Sequence, residues 1–66
     1  MTIVVNGQEA DSQGVANVAD LVDKYRMPRQ AVLIEHNGTA LHPREWSERF
    51  LAEGDRIEIV RVVAGG

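Results

Sequence analysis

Two Asn-Gly dipeptides constrain the fold of this chain more than any other feature of its sequence. They stand at Asn6-Gly7 and Asn37-Gly38, and each one follows an apolar segment rich in β-branched residues. Asn-Gly is the strongest short-range hairpin signal, because both central residues of a type I′ turn need positive φ. The sequence therefore predicts two β-hairpins, with returning strands over 8–11 and 39–41.

One amphipathic helix is predicted between the two hairpins. Its apolar positions follow the helical spacing i, i+3, i+4 and i+7: Val18, Leu21, Val22 and Tyr25. Asn17 precedes them as a predicted N-cap, since its side-chain oxygen can accept from the first free backbone N–H groups. Pro28 disfavours helical geometry at Met27, which predicts that the helix ends there.

Two of the strands after the helix are predicted to be apolar on both faces. The continuous apolar run Ala31 to Ile34 predicts a strand that is buried on both faces. The last strand is predicted over Arg56 to Val63, with Ile57 and Ile59 on one face and Glu58, Val60 and Val62 on the other. Because it is apolar on both faces, we expect it in the middle of the sheet, parallel to the first strand.

The segment between these strands contains the remaining aromatic and histidine residues. Pro43 to Arg49 is predicted to form one helical turn, and Trp46 and Phe50, four residues apart, are predicted to close one end of the core. His36 and His42 flank the second hairpin and are predicted to be exposed. A zinc site needs three or four ligands, and neighbouring strand residues such as Glu35 point to the opposite face, so no metal site is expected.

Composition narrows the class of protein. The chain has 66 residues, of which 44% are hydrophobic and 26% charged, so one soluble domain over residues 1–66 is expected. The net charge is −3 and the basic residues form no cluster, which argues against nucleic-acid binding. No cysteine and no long apolar run are present, which excludes disulfides and a membrane span. An α+β domain is predicted, with a mixed four- to five-stranded sheet and one helix packed across it.

The residues Ala64, Gly65 and Gly66 follow directly after the last predicted strand. Small residues at a chain end are often only a frayed terminus. Alternatively, the segment 63–66 is a flexible arm that enters a narrow enzyme channel, because glycine lacks a Cβ atom and its backbone approaches a ligand closely. In that second interpretation the carboxylate of Gly66 is the reactive group.

The whole chain resembles the ThiS family of thiamine-biosynthesis sulfur carrier proteins, which have the ubiquitin-like β-grasp fold. The resemblance runs from the opening strand with Asn6-Gly7, through the helix, to Gly54-Asp55 and the terminal Gly65-Gly66. One departure is clear. The segment Pro43-Arg44-Glu45-Trp46 is one residue shorter than the Pro-Arg-x-x-Trp pattern of many members, which places His42 and Pro43 at the Pro-Arg positions.

The resemblance implies a carrier rather than an enzyme. A ThiF-like adenylyltransferase, using ATP and magnesium, would adenylate Gly66, and a sulfur relay from a cysteine desulfurase would convert it to a thiocarboxylate. A ThiG-like thiazole synthase would then take the sulfur into the thiazole ring of thiamine. The chain itself is expected to bind no cofactor and to be a cytoplasmic monomer. Glu58, Val60, Arg61 and Val62 are either ordinary exposed strand residues or a docking patch for these partners.

Other functions remain open at this point. Sister carriers of the same fold would supply sulfur for molybdopterin, tRNA or cysteine synthesis, with the same chemistry at Gly66. A ubiquitin-like protein modifier would instead join Gly66 to lysine side chains. In a purely non-covalent interaction domain, the terminal Gly65-Gly66 would have no role.

Overall fold

Both predicted hairpins form, in a computed structural model that describes residues 1–62. The first pairs β1 with β2, the second pairs β3 with β4, and a helix α1 lies between them. The bounds are β1 Thr2–Val5, β2 Gln8–Asp11, α1 Val18–Lys24, β3 Val32–His36, β4 Thr39–Leu41 and β5 Arg56–Arg61. Two short 3₁₀ helices occupy Arg29–Ala31 and Pro43–Glu48.

The two turns have the backbone geometry that their sequences predict. Asn6 and Gly7 have φ of 50° and 82°, and Asn37 and Gly38 have φ of 50° and 86°. The strands form one mixed sheet in the order β2-β1-β5-β3-β4. β1 and β5 are parallel, whereas the other neighbours are antiparallel. The predicted mixed sheet of four to five strands is therefore confirmed, with five strands and with β1 and β5 as the predicted parallel pair.

Within residues 1–62, only one face of this sheet is covered. Alternate residues of β3 are buried, but Leu33 is 60% exposed and Glu35 is also exposed. The prediction that this strand is buried on both faces is therefore wrong. α1 packs its apolar side against the inner face of the sheet, and no second helical layer lies on the outer face within residues 1–62. An apolar run in a strand thus does not by itself show that both faces are covered.

The start of α1 agrees with the sequence, but its end does not. The Asn17 Oδ1 atom accepts from the Asp20 N–H at 2.8 Å, which confirms the predicted N-cap. The helix ends at Lys24, before Pro28 can act, because Arg26 adopts a left-handed φ of 55°. Tyr25 is 37% exposed and does not complete the apolar face. Among residues 1–62, no helix is long and apolar enough to cross a membrane.

A Schellman motif explains this early end of the helix. The Met27 N–H donates to the Val22 carbonyl at 3.2 Å, and the Arg26 N–H donates to the Asp23 carbonyl at 3.0 Å. These bonds satisfy two carbonyls at the end of the helix. The chain then turns back toward β3, so Met27 packs against the core instead of continuing the helix.

The predicted helical turn after β4 forms as a 3₁₀ helix, with Trp46 fully buried beneath it. Phe50, however, is 68% exposed, so its predicted packing beside Trp46 is wrong. The spacing i, i+4 brings two side chains together on an α-helix, whereas a 3₁₀ helix has three residues per turn. The chain leaves this helix at Arg49, and Phe50 forms an isolated bridge with Asn17.

Candidate functional site

Val62 follows β5 directly and is the last described residue before the predicted reactive arm. We call it the root of the arm. Val62 is held to the sheet by its N–H, which donates to the Ala31 carbonyl at 2.7 Å. The predicted arm 63–66, with Ala64, Gly65 and Gly66, lies outside the described residues. The described part of the site is therefore the surface next to the arm.

An apolar patch lies on the outer face beside this root. We define the outer patch as Leu33, Val60 and Val62, which are 60%, 50% and 45% exposed. Leu33 and Val60 are direct cross-strand partners on β3 and β5. Because strand residues alternate between faces, Val62 shares the outer face with Val60. The predicted grouping of Val60 and Val62 on one exposed face is confirmed, and Leu33 extends it onto the next strand.

Two glutamates adjoin the outer patch. Glu35 on β3 and Glu58 on β5 are direct cross-strand partners, and both are exposed. We call them the acidic pair. Like charges directly opposite each other destabilise a sheet, so we expect this pair to lower the stability of the fold. An apolar patch beside two carboxylates suits a partner with an apolar surface and basic side chains near it.

Arg61 does not lie on the same face as the rest of the predicted docking patch. It is opposite Val32 in the register and shares the strand parity of Ile57 and Ile59, which point into the core. It is exposed because the sheet ends there. Arg61 therefore lies at the margin of the outer patch. Sequence analysis did not assign Leu33 and Glu35 to this surface. The structure shows that they alternate with buried neighbours along β3 and therefore lie on its open face.

His36 and Asp55 form a largely buried contact below the second hairpin. The His36 Nε2 and Asp55 Oδ2 atoms are 2.7 Å apart, and the two side chains are only 11% and 14% exposed. The prediction that His36 is an exposed hairpin residue is therefore wrong, because the strand parity turns it toward the inner face. His42 is exposed as predicted, and its Nδ1 atom accepts from the Arg44 N–H at 3.3 Å.

The carboxylate of Asp55 is fixed by several donors. Its Oδ1 accepts from the Asn37 side chain at 3.1 Å, and its Oδ2 accepts from the Ala52 N–H at 2.9 Å. Burial acts to raise the pKa of Asp55, but hydrogen bonds from His36, Asn37 and Ala52 outweigh it and hold that pKa below its usual value. Within residues 1–62, no three His, Asp or Glu side chains come together as a metal site.

Comparisons with known proteins agree with this fold. The model of the ThiS family matches residues 3–66. The crystal structure of the thiamine biosynthesis protein ThiS from Geobacter metallireducens is 26% identical, with a TM-score of 0.83 and full coverage of both chains. An NMR structure of a thiamine biosynthesis protein from the same organism is 26% identical, with a TM-score of 0.82, over all of this chain and 88% of the other.

One curated relative is similar over nearly the whole chain. It is the uncharacterised protein ycf40 of Trieres chinensis, 29% identical over 65 residues, which are 98% of this chain and 89% of that protein. The mixed sheet with one helix across it, together with these structural matches, defines a β-grasp protein. The family match is more specific: this chain belongs to the ThiS family of sulfur carrier proteins.

Proposed function

We propose that this chain carries sulfur on Gly66, as a thiocarboxylate, for the formation of the thiazole ring in thiamine biosynthesis. The observation that carries the proposal is the family match, which extends through Gly65 and Gly66 rather than ending with the sheet. The two similar ThiS structures support the thiamine pathway as the destination of the sulfur. In this proposal the chain acts as a protein cosubstrate, and it does so as a monomer in the cytoplasm.

The proposed chemistry makes a poor acyl donor reactive in two steps. The Gly66 carboxylate attacks the α-phosphorus of ATP on a ThiF-like adenylyltransferase, and pyrophosphate leaves with the electron pair of the broken P–O bond. A cysteine desulfurase relay supplies the sulfur as a persulfide, and a thiol reductant releases it as sulfide while a disulfide forms. The sulfide then attacks the acyl carbon of the mixed anhydride. AMP leaves, and the C–S bond of the thiocarboxylate remains. ATP and magnesium belong to the adenylyltransferase, and a ThiG-like thiazole synthase takes the sulfur.

Glycine suits the reacting position for a steric reason. It has no Cβ atom, so neither the attack on the acyl carbon nor the approach of the backbone to a nucleotide is hindered by a side chain. The chain supplies the acyl group and a surface by which enzymes hold it, whereas the catalytic groups belong to the partners.

We propose further that the outer patch and the acidic pair bind the adenylyltransferase. This proposal is supported by the location of these residues and by their apolar and acidic character. The outer patch ends at Val62, next to the arm, and Leu33 and Val60 offer apolar surface that no part of residues 1–62 covers. Glu35 and Glu58 are opposed like charges in the free chain, which a basic side chain of the enzyme would separate. We expect Arg61 to contact the margin of this interface.

Intact-mass spectrometry tests the sulfur chemistry. The chain is incubated with an adenylyltransferase, ATP, magnesium and sulfide, and we expect a mass gain equal to sulfur replacing one oxygen. A variant that lacks Gly66 and a variant with one alanine added after Gly66 are both expected to remain unmodified. Modification of the extended variant, or an unmodified chain with an enzyme that is demonstrably active on another carrier, would contradict the proposal.

The acceptor is tested separately, because sister carriers share the loading step. The thiocarboxylate form is mixed with thiazole synthase and its other substrates, and thiazole formation is expected with loss of the sulfur from the chain. Sulfur transfer to a molybdopterin precursor or to tRNA instead would assign the chain to another pathway. A ladder of conjugates on lysine side chains in cells would indicate a protein modifier.

A further inference from the structure

The side chain of Asn6 takes the place of a strand residue at the end of β1. Within the described residues, β1 pairs with β5 only through Val4 opposite Arg56 and Val5 opposite Ile57. The Asn6 Oδ1 atom then accepts from the Ile59 N–H at 2.7 Å, and the Asn6 Nδ2 atom donates to the Ile59 carbonyl at 3.2 Å. One carboxamide thus satisfies both backbone groups of Ile59, as the peptide groups of a longer β1 would.

The stretch of β5 that Asn6 holds is the one that leads to the arm. On its other edge, β5 pairs with β3 as far as Arg61. On the β1 side, beyond Ile57, the described contacts with Ile59 come from the Asn6 side chain. The neighbours of Ile59 in the chain are Glu58, of the acidic pair, and Val60, of the outer patch, both of which are proposed to bind the adenylyltransferase. Asn6 therefore fixes the backbone that carries these two residues.

The turn geometry alone does not explain the choice of asparagine. Both central positions of a type I′ turn accept glycine, which adopts positive φ without strain. Asn37 occupies the same position in the second turn, also with φ of 50°. Its Oδ1 accepts from the Arg56 N–H at 2.8 Å and its Nδ2 donates to Asp55 at 3.1 Å. Asn37 thus holds the start of β5, whereas Asn6 holds its second half, at Ile59.

We propose that Asn6 is a positioning residue for sulfur loading. Its carboxamide holds the second half of β5 on the side that faces β1, so that the outer patch and the acidic pair reach the adenylyltransferase as one ordered unit. Asn6 acts through Ile59 and touches no reacting atom. Without it, the enzyme must order this half of the strand on binding, and that cost weakens binding without slowing the chemical step. The loading role rests on the proposed function.

Hydrogen exchange tests the structural part of the proposal without any partner. Asn6→Gly and Asn37→Gly are matched variants, since each removes one carboxamide and two hydrogen bonds from the same turn position. We expect exchange of the Val62 amide, which donates to the Ala31 carbonyl just before β3, to accelerate about 5- to 30-fold in Asn6→Gly relative to Asn37→Gly. Equal exchange in the two variants would overturn the proposal.

Steady-state kinetics of ATP–pyrophosphate exchange test the functional part. In Asn6→Gly we expect the KM for the carrier to rise about 5- to 30-fold with kcat unchanged, and in Asn37→Gly we expect KM close to that of the unmodified chain. Asn6→Asp keeps the acceptor but cannot donate to the Ile59 carbonyl, so its KM is expected to lie between those of the chain and Asn6→Gly. A fall in kcat, or the same KM in both glycine variants, would overturn the proposal.

Failure of the proposed function gives a different result. If the unmodified chain supports no pyrophosphate exchange with an adenylyltransferase that is active on another carrier, sulfur loading itself is contradicted. The Val62 exchange comparison still decides in that case whether Asn6 holds the second half of β5.

Discussion

The two faces of β5 differ in what they contribute to the protein. Ile57 and Ile59 point inward, are 1% and 7% exposed, and join the core under α1. Glu58 and Val60 alternate with them on the same strand but point into solvent. Neighbouring residues of one strand therefore have different roles. The inner face stabilises the fold, whereas the outer face remains available for binding.

The largest expected effect is on the free energy of unfolding, and it differs between the two faces of β5. Ile59→Ala removes buried methyl groups and leaves a cavity, so we expect the free energy of unfolding to fall by about 2–5 kcal/mol. Val60→Ala, one residue further on, is the matched control, with an expected change within about 0.5 kcal/mol. Urea unfolding of both variants measures this. Equal losses would show that the outer face is also part of the core.

Removing the contact between His36 and Asp55 tests how much a polar group on the inner face contributes to the stability of the fold. Asp55→Asn removes an ionised acceptor with three donors, and we expect a loss of about 1–3 kcal/mol at neutral pH. Because the pKa of Asp55 in the folded chain lies below the ordinary value of 3.8, its contribution is full above that value and is lost as the pH falls through the folded pKa.

Urea unfolding of the unmodified chain and of Asp55→Asn, from neutral pH to well below 3.8, measures this pH dependence. The two stabilities are expected to converge as the pH falls. A constant difference over the whole range would show that the ionised form of Asp55 is not the stabilising one.

The outer face is expected to matter for binding rather than for folding. Val60→Ser and Leu33→Ser each shorten an exposed apolar side chain in the outer patch, and we expect affinity for the adenylyltransferase to fall about 5- to 30-fold. Phe50→Ser is the control, because Phe50 is 68% exposed but lies outside this patch. Isothermal titration with the enzyme gives the affinities. An equal loss with Phe50→Ser would contradict the docking proposal.

The smallest expected effect has opposite signs for the stability of the chain and for its binding to the adenylyltransferase. Glu58→Gln removes the like-charge repulsion with Glu35, so we expect a gain in stability of about 0.2–1 kcal/mol, together with weaker binding to the adenylyltransferase. Glu35→Gln is expected to give the same gain, and the double variant little more, because either change removes the repulsion. Stability that falls in Glu58→Gln would show that the acidic pair is a structural feature.

Local patterns in the sequence were sufficient for most of the fold. The Asn-Gly turns, the N-cap at Asn17 and the alternation along β5 depend on residues that are close in the chain. The end of α1 was misplaced because Arg26, which is not a glycine, adopts the left-handed conformation there. The packing of Phe50 was wrong because a 3₁₀ helix replaced the α-helical spacing on which the prediction depended.

The candidate site was predicted only in part. Val60 and Val62 were placed correctly on an outer face, because β-strands alternate regularly. Arg61 was assigned to the same patch although its parity is that of Ile59, and Leu33 and Glu35 were missed because they belong to a different strand. Cross-strand partners depend on register between distant segments, which a single sequence does not reveal.

The sequence by itself determined the elements of this protein: two hairpins, one amphipathic helix and a final strand with two different faces. These follow from the positive φ of Asn-Gly turns and from the periods of strands and helices, which are local properties. Tertiary structure alone decided that one sheet face stays open, that His36 turns inward to Asp55, and that Leu33 lies beside Val60. The reason is that a single helix covers one face of a sheet, and the register of β3 against β5 selects which side chains that helix buries.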